Sequence, residues 1–335
     1  MKIKLLFFAL TFFIFTGCSL PDSQKPRESQ QPANSQESPH SGKEETNSTR
    51  DILGNIDLLP EALQNGRYNQ VYNTLSPDFQ SQVTMQQIKE LSQSFFETGD
   101  TFVMQSKFAI NAMTDYVWLD SSSNKGISVI ADQDGIIRGL QIVNLSSYPE
   151  TDNDYTMQEY SLPLKGKWLT FWGGSNVLSN YHYAYATQRY AYDFIVVEEN
   201  ASYKGDPTKN ASFYAFGQEV TAPADGMIVE VVNDVDDNVP VGTMNEKQAA
   251  GNYIIIDHQG EYSILAHFKQ GSISVQEGQM VKRGQTLGLV GNSGNSSEAH
   301  LHFQVSDQPS LEHGKSIRIK FKNGLDPVKG QWVEE

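Results

Sequence analysis

Glu298 to Val305 reads E-A-H-L-H-F-Q-V and sets His300 and His302 two residues apart in an apolar, β-favouring run. On a strand, residues i and i+2 point to the same face, so the two imidazoles stand side by side. Imidazole is the commonest side-chain metal ligand, and it also carries protons near neutral pH. One such pair could therefore supply a zinc ligand and a catalytic base together. An isolated H-x-H reads more simply as two histidines on an exposed strand face, so the weight falls on the sequence around it.

That sequence predicts a sheet able to position the pair. Tyr253 to Asp257 and Tyr262 to Phe268 flank Gln259-Gly260, a strand-turn-strand signature, with His258 expected to face solvent beside the turn. Ala222 to Val229 reads as a strand entered through a turn, and Val281 to Val290 as two short strands around a tight bend. Gly291 to Ser297 reads as a flexible loop feeding the His300 strand. It has no lysine and no following helix, which argues against a phosphate-binding loop. Short strands, regular turns and little helix indicate an all-β, antiparallel sheet or sandwich.

The order A-P-A-D-G-x-I-V, then N-Y-I-I-I-D-H-x-x-G-E-Y-S-I-L-A-H-F, then V-K-R-G-Q-T-L-G-L-V-G-N-S-G-N-S-S-E-A-H-L-H-F is similar to the lysostaphin/LytM-type zinc endopeptidases. These bacterial enzymes cut peptide bonds in peptidoglycan. The resemblance spans about residues 180 to 306. It implies a zinc ion (Zn2+) held by His302 and Asp193, and proton transfer by His300 and by His267 from across the cleft. A hydrolytic zinc site takes three protein ligands and leaves one position open.

At one position the chain departs from the family. The family's other ligand is a histidine four residues before the carboxylate, where this chain has Arg189. Arginine stays protonated and cannot bind zinc. Either the site is degenerate or the ligand comes from elsewhere, and His182, eleven residues before Asp193, is the nearest upstream imidazole. A loop over residues 183 to 188 would let His182 reach the metal from an adjoining strand. Arg189 would then stand near the cleft, free to hold a substrate carboxylate or carbonyl. Among the aromatic residues before the site, Tyr183 and Tyr185 are candidates to line a substrate groove.

The chain has 335 residues, a net charge of −15 and one cysteine, Cys18. The charge argues against nucleic acid and against an anionic membrane surface as partners. Lys2 and Lys4, an apolar run from Leu5 to Phe15 and Gly17-Cys18 resemble a secretory signal over residues 1 to 18 with a lipobox cysteine. Lipidation of Cys18 would anchor the protein outside the cytoplasm. Residues 19 to 50 are polar and proline-containing and read as a disordered tether. In residues 51 to 147, helical spacing and a Thr84 capping box precede β-rich runs, which predicts a small α+β module for binding or spacing. Residues 148 to 335 follow as the zinc peptidase domain, with Tyr148 to Trp172 as the link.

The expected protein is thus a membrane-anchored zinc metalloendopeptidase acting on peptidoglycan peptides. The alternative is a catalytically degenerate relative that binds cell wall or activates another hydrolase.

Overall fold

The computed structural model describes residues 51–335. The signal peptide, Cys18 and the tether expected over residues 1–50 lie outside the described residues. The α+β layout and the antiparallel β region expected from the sequence are both present. Among the described residues, no helix is long and apolar enough to cross a membrane.

The first part carries four α-helices, α1 (Leu59–Gln64), α2 (Tyr68–Thr74), α3 (Pro77–Gln80) and α4 (Met85–Phe95). The Thr84 hydroxyl accepts from Gln87 N, and the Gln87 side chain accepts from Thr84 N, closing a capping box that starts α4. Ile88 and Phe95 then fall on one buried face. They pack with Leu59, Leu63 and Val71 against Trp118, Ile127, Val129 and Ile137. Those last residues belong to an antiparallel meander of β1 (Phe102–Ile110), β2 (Met113–Asp120), β3 (Lys125–Asp132) and β4 (Ile137–Asn144). Asp132 accepts from Asp134 N and Ile136 N, which closes the turn at Asp134-Gly135.

After a single helical turn, α5 (Pro149–Asp152), the chain builds its main sheet. The strands are β5 (Lys167–Trp172), β6 (Tyr192–Ile195), β7 (Glu219–Thr221), β8 (Gly226–Val232), β9 (Asn252–Asp257), β10 (Tyr262–Phe268), β11 (Met280–Val281), β12 (Thr286–Leu289), β13 (Leu301–Ser306), β14 (Ser316–Ile317) and β15 (Trp332–Glu334). Nine of them form one sheet in the order β11-β8-β9-β10-β13-β6-β5-β15, with β14 on β13. The strand β13, which carries His302 and directly follows His300, therefore lies between β10, which carries His267 one residue before its end, and β6, which carries Asp193.

The two short strands expected around the Arg283-Gly284 bend are present as β11 and β12, which pair with β8 and β7 respectively. Three expectations are corrected here. The stretch from Tyr148 to Trp172 is more than a link, because Tyr160, Leu162, Leu164 and Trp168 are buried in the main core. Residues 291–294 are buried, so the expected flexible loop is packed. His258 is buried too, with Nδ1 2.7 Å from Asp225 O and Nε2 2.8 Å from the Ser263 hydroxyl. In the last two cases tertiary hydrogen bonds cover a segment whose local composition is polar.

The two cores lie within one compact unit, Asp51–Glu335. Ile110 at the end of β1 packs on Leu169, Ile195 and Val197. Beside them, Lys329 and Asp115 form a buried ion pair at 2.7 Å.

Candidate metal centre

His302 and Asp193 face one another because β13 and β6 pair antiparallel with these two residues in register. His302 Nδ1 lies 3.0 Å from Asp193 Oδ1. Its other nitrogen, Nε2, lies 3.0 Å from Gln304 Oε1. The Gln304 amide nitrogen donates to Thr187 O, which fixes that amide and makes Oε1 the acceptor. His302 therefore carries a proton on Nε2, and its Nδ1 is turned to the carboxylate.

His182 arrives by a different route from the one expected. It sits in a 3₁₀ turn, Tyr181–Ala184, and not on an adjoining strand. Asn180 caps that turn: its side-chain oxygen accepts from His182 N, and its amide nitrogen donates to Gly174 O, Arg189 O and Ala191 O. The same oxygen lies 2.9 Å from His182 Nδ1, so the ring's proton is on Nδ1. Nε2 is left bare and stands 3.7 Å from Asp193 Oδ2.

One ligand atom from each of His182, Asp193 and His302 falls within 4.8 Å of the others, and all three residues are buried. Burial pushes the His182 imidazole down to about 3, partly offset by the Asp193 charge. Burial opposes ionisation of Asp193 as well, but the imidazoles of His182, His300 and His302 outweigh it and hold the carboxyl well below the usual range. Burial works to lower the His302 pKa, but the hydrogen bond and charge of Asp193, with the contact to Gln304, together outweigh it and raise the pKa. A bare imidazole nitrogen facing an ionised carboxylate is mutually repulsive unless a cation lies between them. Two nitrogens and a carboxylate oxygen, with both imidazoles anchored through their second nitrogen, fit a zinc ion.

Two more imidazoles face this group. His267 Nδ1 lies 2.7 Å from Ser293 O, and His300 Nδ1 lies 2.9 Å from Glu298 O. A carbonyl only accepts, so both rings keep Nε2 free of hydrogen. The His267 and His300 ring centroids are 4.6 Å apart, and His300 Nε2 is 3.7 Å from Asp193 Oδ1. Burial and the neighbouring imidazoles lower the His267 pKa well below its ordinary value. A register shift after Ala266 and a φ of +66° swing His267 out of the ladder. Such a backbone is strained for a non-glycine residue and persists because its surroundings fix it. Gly291 does part of this, donating to His267 O at 3.0 Å, and a Cβ there would lie 2.2 Å from Lys269 N.

The carboxy-terminal part was thus assembled from sheet register, a bulge and a capped turn, and it matches a known family. Residues 211–318 match the description Peptidase family M23. Residues 211–318 belong to peptidase family M23. The M23 domain is 41% identical over 69 residues to Peptidoglycan DD-endopeptidase ShyA of Vibrio cholerae serotype O1, covering 21% of this chain and 16% of that protein. It is 34% identical over 89 residues to Murein hydrolase activator NlpD of Salmonella dublin, covering 27% of this chain and 20% of that protein. The chain therefore matches no more than 20% of the length of either relative. Lysostaphin, an antimicrobial peptidase from Staphylococcus simulans, aligns with 48% of this chain and 52% of its own at 22% identity, with a TM-score of 0.29.

His267, His300 and His302 lie inside the matched stretch of the M23 domain, whereas His182 and Asp193 precede it. Arg189 is engaged elsewhere, its guanidinium carbon 3.3 Å from the Tyr148 ring centroid and its Nε donating to Tyr183 O at 3.2 Å. Of the two candidate groove tyrosines, Tyr183 is fully buried with its hydroxyl on Asp152, and Tyr185 is 59% exposed. Sequence reasoning missed the residues that fix the rings: Asn180, Ser293 and Gln304. Gln304 carried a usable signal, since it is the next same-face residue after His302 on the strand.

Proposed function

We propose that the chain is a zinc-dependent endopeptidase that hydrolyses peptide bonds of peptidoglycan outside the cytoplasm, tethered to a membrane through acylated Cys18. The observation that carries this reading is the convergence of His182, His302 and Asp193, with the bare Nε2 atoms of His267 and His300 beside them. His182, Asp193 and His302 are the residues that would hold the zinc. When bound, zinc would polarise a water molecule and the scissile carbonyl.

The chain's own groups then divide the remaining work. His300 and His267 each offer an unprotonated nitrogen, which can take a proton from the attacking water and return it to the leaving amine. Once protonated, either ring can donate to the oxyanion of the tetrahedral intermediate. Ser293 O and Glu298 O keep both rings in the tautomer this requires. Burial of the site strengthens each of these interactions relative to water.

A second reading, an activator or adaptor without its own activity, is favoured by Arg189 at the usual ligand position and by the likeness to an NlpD activator. Zinc analysis beside digestion of purified peptidoglycan separates the two. The peptidase reading expects about one tight zinc per chain and new amino termini in the digest, detected by mass spectrometry. A protein that holds no zinc and releases no peptide is the activator.

A further inference from the structure

We propose that the amino-terminal module is a positioning part of the active site, acting from the β1–β2 turn through Asn111, Ser202 and Glu298 on His300; this rests on the peptidase reading of that site. Two tight turns meet where the module touches the M23 domain. One is Asn111-Ala112, with φ of +49° and +65°, between β1 and β2. The other is Glu199-Asn200, with φ of +49° and +63°, which follows the Asp193 strand and is closed by reciprocal hydrogen bonds between Glu198 and Ala201.

Asn111 clasps the second turn with its backbone and with both ends of its amide. Its N donates to Asn200 O at 2.8 Å, its Oδ1 accepts from Ser202 N at 2.9 Å, and its Nδ2 donates to the Ser202 hydroxyl at 2.9 Å. With its oxygen accepting there, Ser202 turns its hydrogen outward and donates to Glu298 Oε2 at 3.3 Å. The carbonyl of that same Glu298 accepts from His300 Nδ1 at 2.9 Å and from the Ser296 hydroxyl at 2.8 Å. His300 Nδ1 also lies 3.1 Å from the Ser296 hydroxyl, whose hydrogen goes to Glu298 O and whose oxygen can only accept from the ring, so the proton directions are consistent from the module to the imidazole.

Packing makes the contact stiff. Ser202 is 2% exposed. Ile110, next to Asn111, is buried with Ile195 and Val197, which lie between Asp193 and the clasped turn. One turn of the module therefore braces two of the chain segments that lead to site residues, the one after Asp193 and the one before His300. A small displacement of a proton-transfer group lowers turnover severely, because the reacting atoms must meet at contact distance.

The test uses the full chain with Asn111→Gly, which suits the positive φ and removes both side-chain hydrogen bonds, with Ser202→Ala, and with the double variant. The first readout is the ring N–H resonance of His300 in metal-free protein by nitrogen-15 NMR, with the His267 ring N–H as internal reference. We expect the His300 signal to shift or broaden in each variant while the His267 signal stays. In peptidoglycan digestion, we expect kcat to fall about 10- to 100-fold at unchanged KM, with the double variant no worse than the worse single one. An unchanged His300 signal, or equal loss of both histidine signals, overturns the proposal. If the wild-type chain hydrolyses no peptidoglycan, the peptidase reading fails, and the ring-proton comparison still decides whether the module positions His300.

Discussion

Nε2 of His182 stands 3.7 Å from Oδ2 of Asp193, and the proton of that imidazole is held on the opposite side by Asn180. The relationship turns a histidine eleven residues upstream of the carboxylate into a lone-pair donor aimed at it.

His182→Ala is therefore expected to abolish tight zinc binding, and Asn180→Ala to weaken it about 10- to 100-fold by freeing the ring. Arg189→Ala should leave zinc content unchanged, since its guanidinium is stacked on Tyr148. Metal analysis after dialysis checks this. Zinc retained by His182→Ala would remove that residue from the ligand set.

Ligand and proton carrier should separate within H-x-H. His302→Ala is expected to lose zinc and hydrolysis together. His300→Ala and His267→Ala should keep zinc while kcat falls at least 100-fold or so, the range for a positioned acid–base group. Equal zinc loss in all three variants would contradict these roles.

His258 should make folding stability depend on pH. Burial lowers its pKa, against the hydrogen bond to Asp225 O and the Asp257 and Glu261 charges. The unfolded chain then takes up a proton at about pH 6.5 that the folded chain refuses. Stability from this group is present above about pH 6.5 and is lost as the pH falls below it, by up to ~1.4 kcal/mol per pH unit. Denaturant unfolding of wild type and His258→Gln at several pH values should show a shallower acid slope in the variant. Identical slopes would refute the assignment.

The buried pair between Asp115 and Lys329 should be costly to break from one side. Lys329 is 3% exposed, and its Nζ also lies 4.0 Å from the Trp172 ring centroid. Asp115→Ala leaves that charge buried and is expected to destabilise by about 3–5 kcal/mol, whereas Asp115→Ala with Lys329→Met should recover much of the loss. Chemical denaturation of both variants gives the comparison, and equal stability of the two would refute the burial argument.

The anchor is open to a direct test. Cys18→Ser is expected to release the protein from the membrane fraction or leave an unprocessed precursor. A variant of normal gel mobility that stays in the membrane would exclude lipidation.

The sequence by itself determined the features that depend on local chain geometry. The two-residue spacing keeps His300, directly before β13, next to His302 on it, the Thr84 capping box starts its helix, and Gln259-Gly260 turns the chain between β9 and β10. Arg189 excluded itself as a ligand by its chemistry alone and directed attention to His182. Sheet register decided the rest. His302 meets Asp193 because β13 and β6 pair in one register, and a shift by one residue would turn either side chain to the other face. His182 reaches the carboxylate from a 3₁₀ turn, which no periodicity announced, because Asn180 binds three carbonyls brought together only in the folded chain. His258 is buried and the loop at residues 291–294 is packed for the same reason: their hydrogen-bond partners lie far away in sequence. Partners separated by many residues leave no trace in local composition, and the tertiary fold alone supplies them.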